Sequence, residues 1–529
     1  MKNRAPALGA ALLLCAAAGL LGFSATASAT FGSVVKKPPS PSPSPSPSPS
    51  TPPSATFVKA YAALIGSSRL NVTPLDVEPT SGGGFIALAQ TQTSQGLGAD
   101  WLLKLSAAGV PQWQEEVGCA SSQGAPGDYA DGASVEQTAD GGYIVGGQTI
   151  DCGSGTSCPA LSGRSCALVE KFDPAGKLSW ARAYAAGPAG SGIDQITQTA
   201  DGGYIAAGSF TDTSQDTGAL LLKLDSAGNV QWQKDLGPAG TTGAYFNSVQ
   251  QTADGGYIAA GAFYIPGSGT APTQVLVAHF GADGSLAWQQ GFATVDSSGA
   301  VTSVADGSSV IQTSDGGYAV AGRWYDKTFN GGQGARGALL LKLDSAGTLQ
   351  WQKVYSGGVY CSFNGYGQAC TPVGAISYSL HQTSDGGYAL AGDGDQELAG
   401  STYLVPWLAK ADATGTLQWQ HFYYQASAEY GTPLSDTFEA SSLVPDGGFL
   451  AAGPTMKDGT QDNEVYAVRT DSSGLAGSCG DIHPATALQA IDPQLAAVAP
   501  SLPLTAAATL AASSPVSTVT TSVSTSQDC

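Results

Sequence analysis

The stretch QTADGGYIAAG, Gln198 to Gly208, returns letter for letter at Gln251 to Gly261 and in close copies along most of the chain. Its centre, DGG followed by Tyr or Phe, places the aromatic at Phe85, Tyr143, Tyr204, Tyr257, Tyr318, Tyr388 and Phe449. The spacings are 58, 61, 53, 61, 70 and 61 residues, and the first copy has Gly82 where the others have Asp. A second element follows each copy, clearest as GALLLKLDSAG at Gly218–Gly228 and Gly337–Gly347. In six of the seven copies a Trp stands four residues beyond its last Gly, at Trp113, Trp180, Trp232, Trp288, Trp351 and Trp419; the seventh reaches Gly474 and then Ser478.

Each unit reads as four short strands. Ser248–Thr252 is a first strand, Asp254-Gly255-Gly256 the turn and Tyr257–Ala262 the second strand. In the preceding unit Leu220–Asp225 is the third strand, Ser226–Asn229 a second turn and Val230–Asp235 the fourth strand. Glycine supplies the positive φ that such tight hairpins demand. Two tight turns alternating with two long variable connections is the pattern of a propeller blade. The runs are too short and too rich in Gly for a helical period. The expected fold is therefore all-β: a seven-bladed β-propeller of four-stranded antiparallel blades. Thr56–Tyr61 resembles fourth strands such as Trp180–Tyr184 but has no first three strands of its own, while the seventh unit lacks its fourth. The N-terminal strand is thus expected to complete the last blade and close the ring, which removes exposed sheet edges.

Composition narrows the partners. A formal net charge of −20 with only 21 Lys and Arg excludes nucleic acid and anionic membrane surfaces, both of which need clustered cations. Lys2 and Arg4, an apolar run from Ala7 to Phe23 and Ala27-Ser28-Ala29 read as an export signal over residues 1–29. The run is also close to the shortest that spans a bilayer, so an uncleaved N-terminal anchor stays open. Residues 30–55 are a Pro/Ser-rich linker, extended and stiff, and residues 56–480 are the propeller. Residues 481–529, rich in Ala, Pro, Ser, Thr and Val without strand alternation, read as a low-complexity and mostly disordered tail.

The T-x-D-G-G-Y and K-L-D-x-x-G-x-x-x-W elements resemble those of a family of exported bacterial and archaeal β-propeller repeats, over Thr56 to about Cys479. The resemblance implies a secreted or surface propeller and fixes no activity. A looser likeness links Ala411–Trp419 to the A-x-D-x-x-T-G-x-x-x-W docking motif of quinoprotein propellers, with the Asp one residue nearer the Thr. That motif ties blades together and implies fold alone.

The motif residues themselves read as structure. The turn aspartates Asp140, Asp201, Asp254, Asp315, Asp385 and Asp446 cap backbone N–H groups, and the tryptophans pack blade on blade. The third-strand cations Lys104, Lys171, Lys223, Lys342, Lys410 and Arg469, with His279 in the fourth unit, are expected to meet a local acid or carbonyl. No nucleophile elbow, HExxH, Walker loop or CxxC pair occurs, so no catalytic residue is nominated. For metal, Asp393, Asp395 and Glu397 in GDGDQE offer hard oxygens at alternate positions that suit Ca2+, against the plainer reading of a solvated acidic loop; no other cofactor is expected. An exported chain permits disulfides: Cys361 with Cys370 on one loop, and two bridges among Cys119, Cys152, Cys158 and Cys166 in one of three pairings. Aromatics outside the motif, Trp324, Tyr325, Phe329, Tyr360, Phe363 and Tyr366, are candidate ligand contacts on the long-loop face, against the plainer reading of loop packing. The expected protein is a monomeric, secreted, periplasmic or cell-surface binding module for a protein or glycan. The alternatives are an extracellular enzyme on a propeller scaffold, quinoprotein-like or a polysaccharide hydrolase or lyase, and a structural surface component.

Overall fold

The computed structural model describes residues within 56–527, with its longer gaps at 93–97, 120–128, 151–164, 238–242, 265–272, 295–300, 329–333, 424–437, 456–463 and 477–481 and shorter ones, such as 364–367 and 399–400, elsewhere and in the tail. The expected signal and linker lie outside the described residues. Of two compact units, Met1–Pro52 and Pro53–Cys529, the second carries every described strand.

The stretch at Gln198 forms the first hairpin of a four-stranded antiparallel sheet, Gly190–Gln198, Tyr204–Thr211, Thr217–Leu224 and Val230–Leu236. Gly202 sits at φ 79° and closes the first turn, with its N–H donating to the Thr199 carbonyl at 2.8 Å. Asp201 then accepts from the Thr199 hydroxyl at 2.5 Å and the Gly203 N–H at 3.0 Å. The third strand is buried along nearly its whole length and the fourth only in alternation. This explains the run ALLLKL, apolar except for Lys223, against the mixed VQWQKDL: an inner strand is covered on both faces, as in other two-sided sheets.

Among the described residues seven such sets of four recur, with no helix between them. We number the blades 1 to 6 over residues 71–119, 129–185, 190–236, 244–294, 303–363 and 368–423. In the seventh, Ala440–Leu443, Phe449–Thr455 and Glu464–Arg469 are joined by the N-terminal strand Phe57–Ile65, which pairs with Glu464–Arg469. The N-terminal strand therefore closes the last blade, as expected.

Blades are held to their successors by one recurring contact. Trp113, Trp180, Trp232, Trp351 and Trp419 each meet the DGG aromatic of the next blade edge-on, with ring centroids 5.4, 6.2, 5.7, 5.7 and 5.4 Å apart, and Trp288 meets Tyr318 in a tilted arrangement at 5.7 Å. The same indole covers a turn glycine of that blade. A Cβ on Gly228, at φ 77°, would stand 2.9 Å from the Trp180 ring. Four residues past the Trp, a Tyr hydroxyl donates to that glycine's carbonyl, as from Tyr184 to Gly228 at 2.7 Å and from Tyr355 to Gly415 at 2.9 Å. The motif Gln adds a further tie: Gln198 accepts from the Ala139 N–H of the preceding blade at 2.7 Å, and Gln251 from Ala200 at 2.8 Å.

The tail departs from the sequence reading. Ile482–Pro484, Gln489–Ile491, Leu495–Val498, Leu504–Thr505, Leu510–Ser513, Val516–Val519 and Ser522–Gln527 are short strands. They pair antiparallel with the outer strands of blades 6, 5, 4, 3, 2, 1 and 7 in that order. The chain thus circles the ring once in reverse, giving each blade a fifth strand. Six to nine residues from the start of one tail strand to the start of the next extend about 20–30 Å, enough to step between neighbouring outer edges. Strands this short, drawn from Ala, Ser, Thr and Val, carry no period of two, so the sequence has no signal to separate them from disorder. Truncation after Gly480 is expected to lower Tm and to produce concentration-dependent association by light scattering, because it uncovers the outer edge of every blade; a monomeric truncation with unchanged Tm would show the belt to be dispensable.

Candidate functional site

At the DGG end of blades 2 to 7 the repeat is self-satisfied. Lys171, Lys223 and Lys342 meet Asp140, Asp201 and Asp315 at 3.0, 2.9 and 2.9 Å, Lys410 meets Asp385 at 2.5 Å and Arg469 meets Asp446 at 2.7 Å. In blade 4, His279 replaces the cation 3.6 Å from Asp254 and stacks on Trp288. Burial works to raise the carboxyls of Asp140, Asp201 and Asp315, but the hydrogen bonds from Thr, Lys and the turn amide win and hold each at about 2. These aspartates and cations are spent within their own turns. His381 bonds the Ser441 carbonyl at 2.8 Å and His421 stacks on Trp419 while bonding the Ser473 carbonyl at 3.1 Å, so both are scaffold as well.

The nominated aromatics divide. The strand Tyr318–Asp326 runs further than the loop expected there, and its alternation turns Trp324 inward among Val275, Phe292 and Leu339, where its indole N–H donates to the Thr294 hydroxyl at 3.0 Å. Trp324 is 1% exposed and is corrected from ligand contact to core. Tyr325 points the other way and is 41% exposed. It stands opposite Val304 on one side and Arg336 on the other, Val304 itself being 39% exposed. Phe329 and Tyr366 lie outside the described residues, as do the side chains of Tyr360 and Phe363.

Asp393, Asp395 and Glu397 are not on a loop. They alternate along the strand Tyr388–Leu398, because the second strand of blade 6 extends past the repeat's usual length. Asp393 accepts from the Phe438 N–H at 3.0 Å, and Asp395 accepts from the Gly374 N–H at 2.8 Å and is bidentate with Arg336 of blade 5, Nε donating at 2.7 Å. The carboxylate offered to Ca2+ therefore already carries a guanidinium. The side chain of Glu397 lies outside the described residues, and among those residues no group of three metal-ligating side chains occurs.

Cys361 and Cys370 face each other across the hairpin of Leu349–Phe363 and Gln368–Gln382, which replaces the expected loop. Cys166 is fully buried and disulfide-bonded; Cys119 ends the last strand of blade 1, while Cys152 and Cys158 lie outside the described residues.

The sequence reading missed the axis. The first strands of all seven blades line a cavity of about 320 Å³. In blades 1 to 6 a bulge interrupts the first strand, as between Ile193 and Gln195. Polar side chains of one blade then take up amides of the next: Asp76 accepts from Val135, Ser134 from Ile196, Gln195 from Val249 and Ser248 from Val310, at 2.8, 2.9, 2.7 and 3.1 Å. Carboxyls gather on one arc. Burial pushes Asp76 up to about 7 against its two backbone hydrogen bonds, and lifts Asp194, which faces the cavity's solvent, to about 6. Burial and then the neighbouring Asp76 raise Glu78 well above the usual range, and burial raises Glu136. Asp76 stands in NVTPLDVEP where the first strands of blades 2 to 6 carry Ser134, Gln195, Ser248, Ser309 and Ser379, and the acid two residues on, Glu78, is repeated only at Glu136 among those blades; two acids on one first strand are the signal that was available.

The two sets of carboxyls act in opposite directions with pH. Depressed turn aspartates lend stability above about pH 4 that is lost as pH falls toward 2, whereas raised cavity carboxyls favour folding when protonated and withdraw that stability as pH rises through 6 and 7. Tm is expected to peak near pH 4–5. Glu78→Gln, which keeps an acceptor for the Ser442 hydroxyl, is expected to flatten the decline from pH 5 to 8 in a calorimetric series.

No family model matches the chain, and no curated protein matches it. Solved structures do resemble it at low identity. A polysaccharide lyase of family PL25, an ulvan lyase bound to a glucuronate and sulfated-rhamnose saccharide, aligns at 9% identity and TM-score 0.40 over 80% of this chain and 96% of that one. Extracellular domains 1–2 of Drosophila semaphorin 1a align at 10% identity and TM-score 0.38, covering 77% and 87%. The β-1,2-mannobiose phosphorylase of Listeria innocua aligns at 12% identity and TM-score 0.29, covering 67% and 97%.

Proposed function

We propose that the protein is an exported β-propeller acting as a monomeric binding module for a protein or glycan, at the envelope or outside the cell. It reads its ligand at the ends of blades 5 and 6 opposite the DGG turns. One observation carries the reading: Val304, Tyr325 and Leu404, all more than a third exposed, lie at that end around the Arg336–Asp395 ion pair that joins the two blades. An aromatic and two aliphatic side chains beside a fixed charge pair suit a contact that buries apolar surface while orienting a polar group. The other large exposed apolar residues among those described, Val110 and Leu475, sit singly on turns at the far end.

A second reading, an extracellular enzyme on the same scaffold, is favoured by the cavity carboxyls. Asp76 and Glu78 have the raised protonation that general acid catalysis at neutral pH uses. Depolymerisation of an acidic polysaccharide by the mature protein, abolished in Glu78→Gln, would carry that reading instead.

A glycan array and a pull-down with the disulfide-intact mature protein test the first reading. Tyr325→Ala is expected to weaken the ligand found at least tenfold, about 1.4 kcal/mol, with Tm unchanged; undiminished binding rejects this face. Trp324→Ala, one residue away, is expected instead to destabilise the fold by about 3–5 kcal/mol in denaturant unfolding.

A further inference from the structure

The first copy of the repeat keeps the receptor for a carboxylate and omits the carboxylate. In blades 2, 3 and 5 the turn aspartate receives three donors: the Thr hydroxyl at 2.5 Å, the amide of the second Gly at 2.9–3.0 Å and the strand lysine at about 3 Å. Blade 1 has the same turn, with the Thr80 N–H donating to the Gly84 carbonyl and the Gly83 N–H to the Thr80 carbonyl, both at 2.8 Å. Thr80 and Lys104 stand in their usual places, 2.7 Å apart, and Lys104 also donates to the Leu105 carbonyl at 3.2 Å. Gly84 packs against the Leu105 carbonyl and the Lys104 ammonium as Gly142 packs against those of blade 2. Where the aspartate belongs there is Gly82, and a Cβ built on it meets nothing within 4 Å.

We propose that Thr80, Gly84 and Lys104 form a binding site for a carboxylate supplied by a ligand, which takes the position that Asp140, Asp201 and Asp315 occupy in their own blades. The Thr80 hydroxyl accepts from Lys104 and keeps its own proton to donate. Lys104 is 8% exposed as a residue, and its ammonium is reached through the opening that Gly82 leaves. A cavity of about 350 Å³ continues from it toward blade 2, lined by Gln112, Gln137 and Tyr143; Gln137 is held by the Ser81 N–H at 2.6 Å and the Gly141 carbonyl at 3.2 Å, so Gln112 is the amide left to meet the rest of the ligand. Burial without a counter-charge lowers Lys104 to about 8, so an incoming carboxylate would restore its charge. The site lies at the DGG end of blades 1 and 2, away from Tyr325, and stands or falls independently of the binding face proposed above.

Lys104 lacks the turn aspartate that Lys171, Lys223 and Lys342 each hold, so it is expected to acetylate faster than they do, which provides the test. The mature protein is labelled with acetic anhydride at pH 8, with acetate or with chloride at equal ionic strength, and each lysine is followed by mass spectrometry. Acetate is expected to slow Lys104 about tenfold, one unit of protonation, and to leave Lys171 and Lys223 unaffected. Gly82→Asp, at an ordinary φ with open space for its side chain, is expected to slow Lys104 without any acetate and to raise Tm. Glucuronate and N-acetylglycine in place of acetate rank a sugar acid against a peptide C-terminus as the source. Lys104 that does not label in chloride, acetate that protects every lysine equally, or protection that persists undiminished in Gly82→Asp would each overturn the site.

Discussion

The ring rests on a contact that no unit can make alone, the indole of one blade lying on the turn glycine and the DGG aromatic of the next. Its geometry explains the repeat. Trp180 needs Gly228 to have no side chain and Tyr204 to stand edge-on, so the two motif elements are partners across a blade junction and not within a unit. An aromatic pair adds roughly 0.5–1.5 kcal/mol beyond its buried area, whereas the Lys–Asp pairs, with the carboxylate half exposed, contribute about 0–1 kcal/mol. Packing is therefore what joins the blades, and the charges set the shape of the turn.

A ring built from such junctions must also close. At the one junction without a Trp, the Arg469 guanidinium lies 5.3 Å over Phe85 and donates to the Ala107 carbonyl, Lys59 reaches the Ala108 carbonyl, and Tyr61 reaches the Gly109 carbonyl at 2.8 Å. The strand that carries Lys59 and Tyr61 lies between Glu464–Arg469 and the tail strand Ser522–Gln527, so both ends of the propeller chain meet in one sheet. The tail extends the same logic to every blade, since an outer strand offers unpaired N–H and C=O groups until another strand takes them.

What the repeat uses, it removes from function. Turn aspartates, the strand cations paired with them, and His279 and His421 are consumed by blade geometry, and the chemistry left over lies where a copy departs from the pattern. Blade 5 extends its second strand and exposes Tyr325; blade 1 puts acids on its first strand and a glycine in its turn. The cavity carboxyls differ from the turn aspartates in that burial lacks an opposing cation, which is why the same residue type is raised at Asp76 and depressed at Asp201.

The spacing of DGG and Trp, and the orphan strand at Thr56–Tyr61, determined the blade and its closure from sequence alone, because turn chemistry and strand period are local and each copy checks the others. The turn roles of the aspartates and lysines were legible for the same reason. Tertiary structure decided where strands ended. Extension to Asp326 and Leu398 put Trp324 in the core and Asp393 and Asp395 on a strand, and hairpin pairing set Cys361 opposite Cys370. It also decided the tail, whose two- to six-residue strands become strands only because an outer edge is there to receive them, and the axial carboxyls, whose protonation depends on neighbours about sixty residues away. Local pattern fixes a hairpin; burial and long-range pairing, which depend on the assembled ring, fix what its side chains can do.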